Sequence, residues 1–156
     1  MFNFQSTASL IFGNEESVNS TDQIKTLLGK NIFIITDKGL TELGLLEPTI
    51  KKIKIHSNVK IFDDVESDPS KSTLLKAFES AKEFNSTGVL GFGGGSSMDV
   101  AKLVSLLLGS NQDIETIWGV NNARGPRLPL VLIPTTAGTG SEVTPISIIT
   151  MDDKEK

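Results

Sequence analysis

The chain contains no cysteine in its 156 residues. That excludes a disulfide framework, a thiolate nucleophile and every Cys-ligated zinc or iron–sulfur centre. A thiol-free chain also fits a reducing compartment, and cytoplasmic residence is the expectation. There is a single histidine, His56, in a segment rich in Lys, Ser and Asn, where a surface position is a better account than a metal ligand. No run approaches the roughly 18 unbroken apolar residues of a membrane span, so no membrane association is expected. Residues 1–10 lack both the basic start and the apolar core of a secretion signal. Positive charge is also scarce: the net charge is −4 and the pI near 5.0, which argues against a general nucleic-acid binder, since such a protein needs a basic face to displace counterions. The densest cations, Lys51, Lys52 and Lys54, read as the solvated face of a helix.

What is present reads as one domain of alternating strands and helices. Phe2, Phe4, Ala8, Leu10 and Phe12 alternate with more polar residues up to Gly13, predicting a short opening ribbon whose edge would favour a homodimer. Helical spacing follows over residues 15–28, with Gly29 as the stop. Ile32, Phe33, Ile34 and Ile35 form an unbroken apolar run within residues 31–36, the pattern of a parallel strand buried on both faces. Residues 41–54 are helix-like but divided by Gly44 and Pro48, and residues 59–62 give a second strand.

Asp68 and Pro69 predict a helix start, with Asp68 as cap. The helix that follows places Leu74, Leu75, Ala77, Phe78, Ala81 and Phe84 on one face and ends near Asn85. A third strand over 88–92 leads through the turn at Gly93, Gly94 and Gly95 into a helix over 97–108, stopped by Gly109. The long polar connection 110–129 contains a helical turn at 113–118, a fourth strand occupies 130–133, and Ile146, Ile148 and Ile149 predict one more. Repeated strand–helix–strand units imply a doubly wound, mostly parallel α/β sheet, a Rossmann-like domain spanning residues 1–156.

Two loops carry the chemistry. The segment from Gly91 to Asp99 leaves a predicted strand and opens a predicted helix, where free backbone N–H groups and the positive helix end can meet a phosphate. It is not the usual dinucleotide fingerprint, because it stands on the third strand and no acidic residue ends a strand about 20 residues on. No Gly-Lys-Ser/Thr follows, so it is not a P-loop. Ser96 could cap the helix while Asp99 reaches back in a capping box, or Asp99 could touch a ligand. The second loop, from Pro134 to Thr144, concentrates hydroxyls at Thr135, Thr136, Thr139, Ser141 and Thr144. Both loops leave the carboxyl edge of the sheet, where ligands of open parallel sheets bind. Asp63 and Asp64, and Asp152 and Asp153, read as solvated turns, and Met98 and Trp118 as packing residues.

Through Gly93-Gly-Gly-Ser-Ser-Met-Asp-Val-Ala-Lys102 and Pro134-Thr-Thr-Ala-Gly-Thr-Gly-Ser-Glu-Val-Thr144, the sequence resembles the iron-containing (group III) alcohol dehydrogenases. The likeness extends to Ile11-Phe12-Gly13, Ile35-Thr36-Asp37-Lys38 and Asp68-Pro69-Ser70. It implies that Gly94, Gly95 and Ser96 hold the pyrophosphate of NAD with Asp99 beside them, and that Thr135, Thr136, Thr139 and Ser141 line the nicotinamide side. Asp37 then matches the carboxylate that binds the adenosine ribose and repels a 2′-phosphate, favouring NAD over NADP, with a helix cap as the other reading.

The resemblance further implies hydride transfer between a small alcohol or aldehyde and NAD, with iron held by an aspartate and histidines of a helical domain not found in this chain. The chain alone is therefore expected to hold no iron and to be inactive, and no catalytic residue is assigned. A glycerol dehydrogenase or dehydroquinate synthase-like enzyme is the alternative, opposed by Gly138-Thr-Gly-Ser-Glu-Val143. A non-catalytic nucleotide-binding or assembly module is another.

Overall fold

The computed structural model describes residues 7–119 and 121–151. Four strands, β1 (Asn31–Ile35), β2 (Asn58–Phe62), β3 (Gly88–Gly93) and β4 (Leu130–Pro134), form one sheet in the order β2-β1-β3-β4. Every pairing is parallel, with Ile34 opposite Ile61 on one side and Leu90 on the other. The apolar run of β1 is sealed from solvent on both faces, and β3 is buried throughout. Alternation decides which face each residue serves. Ile32 and Ile34 pack with Leu90, Phe92 and the helices α2 (Thr21–Leu28) and α4 (Glu47–Ile53). Phe33 and Ile35 pack with Val89 and the helices α5 (Lys71–Glu83) and α6 (Gly95–Ser110). The sheet is therefore doubly wound, as the sequence predicts.

The chain passes from β1 outward to β2, then returns to place β3 on the other side of β1. At that reversal the connections after β1 and β3 diverge, leaving a crevice at the carboxyl edge.

Several local expectations change. Residues 1–6 lie outside the described residues, and residues 7–13 form no strand, so the described part of the opening ribbon is irregular, with Phe12 98% exposed. The helix expected over 15–28 breaks into α1 (Glu16–Asn19) and α2, because Ser20 Oγ bonds Glu16 Oε2 at 2.5 Å and Thr21 Oγ1 bonds the Val18 carbonyl at 3.0 Å. The divided helix over 41–54 starts earlier, as α3 (Lys38–Glu42), and resumes at α4 after Gly44, with Pro48 in the first turn.

Asp68 does not cap α5. It sits at φ 53°, and Ser70, in extended backbone, accepts the Thr73 N–H instead. The proline keeps its predecessor out of the helical region, which moves the cap two residues on. Leu74, Ala77 and Ala81 face the core, but Leu75 is turned outward.

Helix α6 runs straight through Gly109 and stops at Asn111 in the left-handed region. No strand forms over 146–149. There the backbone is held by side chains of α6, and Thr150 makes only an isolated bridge to Ser70. The turn expected in 113–118 is a 3₁₀ turn at Ile114–Thr116 capped by Asp113, and Lys51, Lys52, Lys54 and His56 are exposed as expected.

Two glycines serve close packing. A Cβ on Gly88 would lie 2.6 Å from the Leu28 backbone, where α2 meets β3, and one on Gly109 would lie 2.5 Å from the Arg127 backbone. Overpacking against main chain costs about 1–3 kcal/mol, so Gly88→Ala and Gly109→Ala should each lower unfolding free energy by that much in urea titration. A second expectation concerns Glu66, an exposed residue. Slight burial tends to raise its carboxyl's pKa, but the Ser70 N–H and Thr73 hydroxyl prevail and hold it below the ordinary value. Its contribution is thus present above the ordinary carboxylate range and is lost as pH falls through the lowered value. Glu66→Gln should flatten that acid limb of the stability–pH curve.

Candidate functional site at the carboxyl edge

Gly93 leaves β3 where a Cβ would come within 2.8 Å of Ser97 Oγ, so a larger residue would push strand and helix apart. Gly94 follows in extended conformation (φ −78°, ψ −173°) as N-cap of the 16-residue α6. It has no side chain with which to cap the helix, and no other side chain among the described residues does so. The N–H groups of the first turn are therefore left open at the positive end of the helix. Such an end is an anion site in waiting.

The threonine loop closes over this turn. Thr135 N–H donates to the Gly93 carbonyl at 2.9 Å, continuing the β3–β4 pairing past the end of the sheet. A Cβ on Gly94 would lie 3.6 Å from Thr136, and one on Gly95 3.4 Å from the Thr139 methyl. The gap between the two loops is thus about as wide as the side chains the glycines lack. Thr135, Thr136 and Thr139 are exposed, and Ser96 is half-buried.

Asp37 stands at the same edge. Ile35 pairs with Gly91, so the parallel register brings the end of β1 alongside the glycine turn. The Leu40 methyl, 3.4 Å from the Cβ position of Gly93, joins α3 to the same place. Asp37 Oδ1 accepts the Leu40 N–H at 3.1 Å, so the cap reading holds for one carboxylate oxygen.

Of the two readings of Asp99, the capping box with Ser96 does not form. With Gly94 as cap, Ser96 is already inside the helix, and Asp99 turns inward on the next turn. Its Oδ1 accepts the Ser141 hydroxyl at 2.6 Å and its Oδ2 accepts the Ile148 N–H at 3.0 Å. Asp99 and Ser141 are brought together, but onto each other, and both are buried. Two residues at this edge escape the sequence reading. Lys102 pairs with Asp99 at 2.9 Å, a pairing that their i,i+3 spacing on a helix already offered. Thr36, fully buried at the end of β1, has a hydroxyl with no hydrogen-bond partner among the described residues, and nothing in its sequence context signals this.

The fold and its crevice define a doubly wound, Rossmann-like α/β protein. Residues 7–156 match the family model described as iron-containing alcohol dehydrogenase. The chain is 36% identical over 131 residues to a sulfoacetaldehyde reductase from Bilophila wadsworthia, covering 83% of this chain and 34% of that protein. Among solved structures, a 1,3-propanediol oxidoreductase superposes with a TM-score of 0.90 at 28% identity, over 97% of this chain and 40% of that one. A sulfoacetaldehyde reductase from Bifidobacterium kashiwanohense in complex with NAD+ superposes with a TM-score of 0.84 at 27% identity, over 97% and 40%. This chain belongs to the iron-containing alcohol dehydrogenase family, and it spans between a third and two fifths of the length of these relatives.

Ser141→Ala removes one of the donors that satisfy the buried Asp99 carboxylate. The expected loss is about 1–3 kcal/mol of unfolding free energy. Urea titration of the variant against the parent chain measures it, and a neutral result would mean that Asp99 is satisfied without it.

Proposed function

We propose that this chain is the dinucleotide-binding part of an enzyme that moves hydride between a small alcohol or aldehyde and NAD. The observation that carries the reading is the uncapped start of α6 facing the threonine loop at the reversal point of the sheet. The helix start suits a pyrophosphate, because it offers backbone N–H groups that no side chain caps. NAD, when bound, supplies a ring that accepts or returns hydride.

In this reading Gly94, Gly95 and Ser96 hold the pyrophosphate through backbone donors, while Thr135, Thr136 and Thr139 present hydroxyls on the nicotinamide side. Ser141 and Asp99 act from behind that loop, consistent with their burial against each other. Asp37 keeps its Oδ2 for a ribose hydroxyl, and its charge opposes a 2′-phosphate. Lys38, the adjacent cation that would attract such a phosphate, is paired with Asp64 at 2.6 Å. That hydrogen bond holds its ammonium above its ordinary pKa.

The iron of the family finds no fit here. Among the described residues no three His, Cys, Asp or Glu side chains come together as a metal-binding group.

Calorimetric titration of NAD and NADP into the chain tests the reading. Asp37→Gly should narrow the preference for NAD by about 1–3 kcal/mol, and Gly95→Asp, which sets a carboxylate in the phosphate position, should abolish binding of both. NAD binding that is indifferent to Gly95→Asp would reject the proposed site.

A further inference from the structure

Lys102 is a half-buried residue whose side chain is only 9% exposed, and it lies about two helical turns behind the open end of α6. A lysine ammonium is strongly hydrated and is rarely withdrawn from water unless all three of its N–H groups are satisfied. Here they are. Nζ pairs with Asp99 at 2.9 Å and donates to the carbonyls of Ser141 at 3.0 Å, Thr144 at 3.4 Å and Ile146. Asp99 completes the arrangement from the other sign of charge, accepting the Ser141 hydroxyl and the Ile148 N–H. Between them the two side chains reach four residues of a segment, 141–148, that has no helix or strand of its own. That segment is the continuation of the threonine loop, whose other end is pinned where Thr135 bonds Gly93.

We infer that Lys102, with Asp99, is the positioning residue that holds the hydroxyl loop against the glycine turn and so sets the nicotinamide side of the site. This rests on the dinucleotide reading for what the loop contacts. Lys102 does not itself face the crevice opening; its effect runs through the carbonyls it gathers. With the ammonium removed, three carbonyls and a carboxylate lose their common donor, and among the described residues Asp99 is the one side chain of α6 still hydrogen-bonded to segment 141–148. Thr139 then has no fixed distance from Gly95. The glycine turn keeps its own geometry, because that comes from β3 and from the start of α6.

The inference separates two ligands. ADP carries the pyrophosphate and adenosine but no nicotinamide, so it should report the turn and Asp37 alone. NAD should report the loop as well. In Lys102→Met the Kd for NAD is expected to rise about tenfold or more, as for loss of charge-assisted hydrogen bonds, while that for ADP stays within about twofold. Amide hydrogen exchange in peptides covering residues 141–148 should accelerate in the same variant without change in β1 or β3.

Gly109→Ala provides a control. It strains the far end of the same helix against Arg127 without touching the loop, so it should leave the NAD-to-ADP ratio unchanged. Because the chain has no native cysteine, Lys102→Cys can be aminoethylated at that position alone, restoring an ammonium at nearly the original reach, and this should restore NAD affinity.

Equal losses for NAD and ADP in Lys102→Met, an unchanged exchange rate in 141–148, or no recovery on aminoethylation would each overturn the inference. A parent chain that binds neither nucleotide would instead overturn the dinucleotide reading. The exchange measurement would then decide on its own whether Lys102 anchors the segment.

Discussion

Burial of β1 and β3 on both faces is the constraint from which the remainder of the architecture follows. A strand sealed above and below cannot leave main-chain groups unpaired, so each needs a hydrogen-bonded neighbour on either side and helices over both surfaces. The order β2-β1-β3-β4 meets the first requirement for β1 and β3, and the two clusters around Phe33 and Ile34 meet the second. In β1 and β3, backbone is left open only where the strands run out. At the carboxyl edge the next element after β3 is a helix with no side-chain cap, and its donors face the crevice. The site is thus a product of the same accounting that seals the core.

Much of this was legible in the sequence. The runs at Ile32–Ile35 and in Gly88–Gly93 could hardly be anything but buried strands, and the two glycine- and threonine-rich loops fell on one edge once the sheet was read as parallel. The misreadings share a cause. Asp68 and Ser96 are both good capping residues by type, but the cap is taken by whichever residue has extended backbone at the right place, here Ser70 and Gly94. The apolar spacing of Ile146, Ile148 and Ile149 implied a strand because spacing records side chains. It does not record that Asp99 and Lys102 already hold the backbone there.

The same limit applies to the site. Asp99 was identifiable as a member of the motif, but its bonds to Ser141 and Ile148 span 42 and 49 residues, a separation at which local pattern carries no information. The structure therefore divides the motif residues into those that border the crevice and those that brace it. Gly94, Gly95, Thr136 and Thr139 belong to the first group, and Asp99, Lys102 and Ser141 to the second.

The uncapped start of α6 has a consequence for how such a protein can change over generations. The donors it leaves open are main-chain atoms, and these survive any substitution that leaves the turn intact. In the proposed function they would attract a pyrophosphate regardless of what is attached to either end. In that proposal, whatever distinguishes one nucleotide from another would be written in side chains around the rim, such as Asp37, Thr136 and Thr139. Single codon changes can revise those without endangering the grip. Affinity is inherited with the backbone, and selectivity is free to drift.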